Sequence, residues 1–95
     1  KLISLEVKFP QNADIQNYLG FVSRKMNKLG TSDAYYKKAL QLNPMHKGAL
    51  EYQGELFLQY KNLEKANDNL KLLERICVVN CDEYKDLKKA IENFK

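Results

Sequence analysis

From Ala13 onward, apolar side chains return at helical intervals. Ile15, Leu19, Val22 and Met26 stand four, three and four residues apart, with Tyr18 beside them. That spacing predicts an amphipathic helix from Ala13 to about Lys28, with Asn12 as its N-cap. Asn27 to Gly30 then reads as a turn, Gly30 supplying the conformational freedom. Thr31 or Ser32 can cap a partner helix over roughly Ser32 to Leu42, whose inward stripe is Tyr36, Ala39 and Leu40, and Asn43-Pro44 stops it. The same order follows again. Lys47 to Tyr60 predicts a helix carrying Leu50, Gly54, Phe57 and Leu58. Asn62 makes the turn, and Leu63 to Cys77 is the partner helix with Ala66, Leu70, Leu73 and Ile76 inward. After Val78-Val79, a last helix shows Tyr84, Leu87, Ile91 and Phe94 on one face. Asn80 and Glu83 are spaced as its capping box. Asp82 and Glu83 suit its positive end, and Lys88, Lys89 and Lys95 the other. Ahead of all this, Leu2, Leu5 and Phe9 share one helical face that Pro10 terminates.

The two units have a fixed period. Pro10 and Pro44 are 34 residues apart, as are Gly20 and Gly54, Tyr18 and Tyr52, and Leu29 and Leu63. A period of 34 with helical patterning inside it marks a solenoid of helical hairpins. The expected architecture is all-α. Residues 1–10 are the second helix of a preceding repeat, 11–44 and 45–79 are full repeats, and 80–95 form a capping helix, apolar inward and polar outward. Gly20 costs its helix about 1 kcal/mol relative to alanine. The expected return is the close approach of a neighbouring backbone. Ala66 is the small residue expected to approach the matching glycine of the second unit.

Bulk properties narrow the function by exclusion. Ninety-five residues make one domain or part of one, and the opening at Lys1 reads as a piece of a longer protein. No apolar run is long enough to span a bilayer, and no signal-peptide pattern is visible. The net charge of +4 is concentrated in residues 1–44, with seven Lys/Arg against three Asp/Glu. No Lys/Arg cluster recurs on one helix face, so a nucleic-acid partner is not expected. There is no glycine-rich phosphate loop, no Gly-x-Ser-x-Gly elbow and no His-Glu-x-x-His. The sole histidine, His46, has no nucleophile beside it and reads as a surface residue. The expectation is a chain that is not an enzyme, with no catalytic residue, no metal site and no cofactor.

At the level of residue classes, the chain resembles the tetratricopeptide repeat (TPR) family. Leu19-Gly20, Tyr36, Ala39 and Pro44 fit its motif in the first repeat. Leu50, Gly54, Phe57, Ala66 and Leu70 fit it in the second, and Tyr84, Leu87 and Ile91 in the last helix. Gln16, Ser23, Ser32, Leu73 and Val78 depart from it. The stretch Ala49 to Glu55, with Cys77 and Cys81 ahead of Asp82-Glu83-Tyr84, is similar to a bacterial subgroup of small exported TPR proteins. That similarity implies the periplasm or cell envelope over the cytoplasm.

The resemblance implies a concave face, lined by first helices, that takes a protein or peptide. Its partner-contacting positions map to Asn17, Tyr18, Phe21, Arg24 and Lys25, to Glu51, Tyr52, Glu55, Leu58 and Gln59, and to Lys85 and Lys89. Phe21 lies off the buried stripe, which suits a partner anchor or, equally, packing on the preceding repeat or against Arg24. Some TPR proteins hold a chaperone's C-terminal carboxylate with Lys and Asn on consecutive turns. Asn17 and Phe21 stand there instead, so that clamp is absent. Arg24 and Lys25 near Glu51 and Glu55 give a groove of mixed sign. Cys77 and Cys81 leave three readings open: a local disulfide, two buried thiols, or a redox or metal site. Self-association through an apolar edge at residues 1–9 is the alternative to peptide binding, and a dithiol module through the cysteines is a further one.

Overall fold

A computed structural model describes residues 12–77 and 81–94. Those residues are all-α, with five helices among them: α1 Ala13–Lys25, α2 Leu29–Leu42, α3 Lys47–Gln59, α4 Leu63–Ile76 and α5 Asp82–Glu92. The expected helix over residues 1–9, its stop at Pro10, and the features at Val78 to Asn80 lie outside the described residues.

Side chains start three of the helices. The Asn12 carboxamide accepts from the Ile15 N–H at 3.1 Å, His46 Nδ1 from Ala49 at 3.0 Å, and Asn62 from Lys65 at 3.1 Å. Each satisfies one of the donors that a helix N-terminus leaves unbonded. α5 begins at Asp82, with Cys81 in the cap position and no side-chain cap bond.

The turns differ from expectation in one respect. Gly30 lies inside α2, which begins at Leu29 rather than Ser32. The left-handed residues are Asn27, φ 61°, and Lys61, φ 60°. These two are also 34 positions apart. In each turn the next residue donates to the carbonyl five back, Lys28 to Ser23 and Asn62 to Phe57, both at 2.8 Å. With the inner bonds of Asn27 to Arg24 and Lys61 to Leu58, both at 2.9 Å, each turn is a Schellman motif. The repeat is thus present in the backbone where the side chains have diverged.

The packing order is α1 on α2, α2 on α3, α3 on α4, and α5 on both α3 and α4. α1 also lies close to α3, whereas the backbones of α2 and α4 do not approach each other closely among the described residues. The odd-numbered helices therefore form a tight layer and the even-numbered pair an open one.

The core holds Leu19, Tyr36, Ala39, Ala49, Leu50, Leu56, Ala66, Leu73 and Leu87. Leu56 is fully buried although it falls outside the expected stripe, while Met26 is 58% exposed at the end of α1 rather than inward. Both glycines serve side chains, not a passing backbone. A Cβ on Gly20 would stand 2.6 Å from Tyr36 Cε1, and one on Gly54 would stand 2.7 Å from the Leu87 methyl carbons. Gly54 is thus covered from α5, where Ala66 was the sequence expectation. Ser32, expected as a cap, is buried and donates to the Gly20 carbonyl at 2.7 Å. Cys77 and Cys81 are joined as a disulfide with their Cα atoms 5.5 Å apart, tying the end of α4 to the start of α5.

Candidate partner-binding groove

The candidate site begins with two aromatic rings on neighbouring helices. Phe21 on α1 and Tyr52 on α3 lie with centroids 5.0 Å apart and planes tilted by 38°. Tilted pairs at this spacing are favoured by the ring quadrupoles. The Arg24 guanidinium and the Lys25 ammonium sit over Phe21 at 5.8 and 5.4 Å. Beneath them Tyr36 is fully buried, its ring 6.4 Å from that of Tyr52. Phe21 is therefore half-buried by partners within this chain.

Arg24 joins the two repeats. Its Nη2 donates to Glu55 Oε1 at 3.1 Å and its Nη1 to Gln59 Oε1 at 3.2 Å. The side chains of Arg24 and Glu55 are only 12% and 24% exposed, so water screens this pair less than an ordinary surface bridge.

Glu51 stands apart among the expected contact residues. It is 7% exposed, so it lies buried rather than as an open contact. Burial, above all, pushes its carboxyl up to about 9; a hydrogen bond with Glu55 and the charges of Glu55, Asp86 and Glu83 act in the same direction. At neutral pH it is a neutral acid. Burial likewise raises the Tyr36 hydroxyl, with Arg24 opposing, and raises that of Tyr52, with Glu51 and Glu55 adding to the effect.

The other expected residues are distributed along the layer. Tyr18 is 51% exposed, and Lys25, Gln59, Lys85 and Lys89 are also exposed, whereas Leu58 is half-buried. Asn17 is half-buried, and its amide nitrogen would lie 2.9 Å from a Cβ on Gly48, at the α1–α3 seam. The structure thus brings together Phe21, Arg24, Lys25, Tyr52, Glu55 and Gln59, and sets Lys85 and Lys89 on the surface of α5.

Two acids of α5 whose charges act on Glu51 are not among the expected contact residues: Glu83, which the sequence offers only as a complement to the helix start, and Asp86. A signal was there for Asp86: it falls 34 positions after Tyr52 and 68 after Tyr18. Sequence reasoning assigns His46 to the surface. His46 Nδ1 accepts from Ala49, so Nε2 carries the proton and donates to Asp14 Oδ1 at 2.5 Å, linking α3 to α1. Among the described residues no group of His, Cys, Asp and Glu could hold a metal ion, and no helix is long and apolar enough to cross a membrane.

Neither protein-family models nor curated proteins give a match to this chain. The fold and the groove therefore carry the functional reading by themselves.

Proposed function

We propose that this chain is a non-catalytic interaction scaffold of the TPR type, binding a peptide or protein segment along the α1–α3–α5 face. The observation that carries this reading is the Phe21–Tyr52 pair beside the Arg24–Glu55–Gln59 cluster. Both bridge α1 and α3 on the tight side of the stack. They hold aromatic surface and oriented polar groups together, the combination that interface anchors use. Rigid helices present them, so little ordering cost remains at binding.

Titration of the isotope-labelled chain with peptides, followed by amide shifts, tests the proposal. The expected result is a set of shifts on α1 and α3 centred on Phe21, Tyr52 and Glu55. Shifts restricted to α2 and α4 would overturn it. Sedimentation at several concentrations separates peptide capture from self-association, which would appear as a concentration-dependent mass.

A further inference from the structure

We propose that the Cys77–Cys81 disulfide is a redox latch on α5. A dithiol reductant opens it, and α5 then leaves its seat on α3 and α4 far more readily than the rest of the stack loosens. The latch stands apart from the groove reading. Because α5 forms one side of the proposed groove, reduction also loosens that wall, and this consequence alone rests on the groove.

The place of the bond is the first ground. Cys77 is the C-cap of α4 and Cys81 the N-cap of α5, so the bond spans the joint between them. α5 is otherwise lightly held. It has 11 residues, a length at which an isolated helix is marginal in water, and no side chain caps its start. Leu87 is its one buried residue among those described, with Tyr84 and Ile91 partly buried beside it. Leu87 covers Gly54 and packs with Leu50 and Leu73, so unseating α5 uncovers the apolar interior of the second hairpin.

The surroundings of the sulfurs are the second ground. Neither cysteine is buried, and access to the sulfur governs exchange with a small thiol. Cys81 Sγ lies 3.3 Å from Glu83 Oε1. A disulfide sulfur carries no proton, so this contact becomes a hydrogen bond only after the S–S bond is cut. The reduced state then has an acceptor waiting for the Cys81 S–H, which the oxidised state cannot use.

One thiolate of the reductant attacks Cys77 Sγ, the S–S bond breaks, and Cys81 departs as a thiolate. The positive end of α5 favours Cys81 in that role, while Cys77 sits at the negative end of α4. The Cys81 thiolate takes up a proton, and Glu83 accepts from the resulting S–H. The second thiol of the reductant then displaces Cys77 from the mixed disulfide and closes its own. Two electrons and two protons have passed from the dithiol to the protein. With the ring open, the joint regains the freedom that the bond withheld. For cysteines four positions apart, that loop entropy amounts to roughly thirtyfold in the population of unseated α5.

Hydrogen exchange of the whole chain, read by mass spectrometry with and without dithiothreitol, tests the latch. No peptide is present, so the outcome is separate from that of the groove. In the reduced chain the amides of α5 are expected to exchange roughly thirtyfold faster, with those of α1 and α2 unchanged. A double variant, Cys77→Ser with Cys81→Ser, should show the fast α5 in both buffers and no response to dithiothreitol. Glu83→Ala, titrated against mixtures of reduced and oxidised dithiothreitol, should keep the disulfide roughly fivefold more firmly, the size of one hydrogen bond. A merely structural effect of Glu83 would speed α5 exchange alike in both redox states and leave that equilibrium unmoved, which overturns the role given to Glu83. Thiols that dithiothreitol frees only after denaturation overturn the latch. So does α5 exchange that is equal in the two redox states, or an acceleration shared by all five helices.

Discussion

The two hairpins carry a glycine at the same phase and close over it in different ways. In the first, the ring of Tyr36 on α2 packs against Gly20 of α1, so the hairpin seals its own interior. In the second, Leu87 covers Gly54, and Leu87 belongs to α5. The inter-helix polar bonds run in parallel. Ser32 donates to the Gly20 carbonyl across the first hairpin, and Asn69 donates to the Leu50 carbonyl and to Gln53 across the second, at 3.0 and 2.9 Å. The second hairpin therefore has its own hydrogen bonds but borrows its apolar seal. Leu50, Leu73 and Leu87 form one cluster drawn from three helices, with Leu40 of α2 packed at its edge. This fits the role of a solenoid cap, which completes the core of the repeat before it.

The sharpest way to break this contrast is to remove each seal. Tyr36→Ala should cost about 4 kcal/mol and Leu87→Ala about 3 kcal/mol, as expected for fully buried large side chains. Native-state hydrogen exchange separates them. Leu87→Ala should speed exchange in α5 and α3 before α1 and α2, because only the second hairpin leans on α5. Equal acceleration in all five helices would mean that the hairpins share one seal.

A second difference is electrical. Glu51 in α3 occupies the phase that neutral Asn17 holds in α1. Its carboxyl, ordinarily near 4.5, is raised to about 9. Between those values the folded chain holds a proton that the unfolded chain has released. Its contribution to stability is therefore complete below pH 4.5, falls as pH rises through 9, and is level above that. The total change is on the order of a few kcal/mol. Glu51→Gln keeps the shape without the titration, so its melting temperature should exceed that of the parent at pH 8 and match it at pH 4. A parent whose melting temperature is flat from pH 5 to pH 8, after other groups are subtracted, would remove the buried acid.

Alanine at each glycine gives a finer comparison. It adds about 1 kcal/mol of helix propensity and a collision. At Gly20 the obstacle is a buried ring with no room to turn, so overpacking should prevail and leave a net loss of about 2 kcal/mol. At Gly54 the obstacle is the far end of a leucine, and the net change should stay within about 1 kcal/mol. Chemical denaturation of the two variants measures the difference, and a larger loss at Gly54 would reverse the order of the seals.

These contrasts show which parts of the molecule were legible in the sequence. The helices and their order were, because apolar spacing and the 34-residue step are carried by many positions at once. Helix starts were less so. Ser32 resembles a cap, yet its hydroxyl forms a stronger tie to a carbonyl across the hairpin, and α2 begins three residues sooner. Buried polar residues were not legible. Gln53, Asn69 and Glu51 break the apolar pattern; the bond between Gln53 and Asn69 on neighbouring helices explains why those two face inward, while Glu51 is bonded to Glu55 on its own helix. Lys61 gives no hint of its left-handed backbone, whereas its counterpart Asn27 belongs to a residue type that tolerates it. The groove was half legible: position along the repeat brought Phe21, Arg24, Tyr52 and Glu55 together. The turn of α5 that brings Glu83 and Asp86 toward Glu51 depends on how Leu87 seats on Gly54, a contact between units.

The smallest expected effect lies where the two hairpins begin. Asn12 caps α1 and His46 caps α3, 34 positions later, so one job is done by two residue types. Only His46 has a second ring nitrogen, and it uses that nitrogen to reach Asp14 at the start of α1. His46→Ala removes both the cap and the link and should cost about 1 kcal/mol, nearly all of it from the cap. The link contributes little, because the Asp14 side chain is 85% exposed and an exposed pair is weak. His46→Asn separates the two roles. It restores in α3 the cap that α1 already uses and gives up the reach to Asp14, so its stability should lie within a few tenths of a kcal/mol of the parent. If His46→Asn instead loses as much as His46→Ala, the contact with Asp14 is what registers one repeat against the next. The seam between α1 and α3 would then depend on a polar pin as well as on the rings of Phe21 and Tyr52.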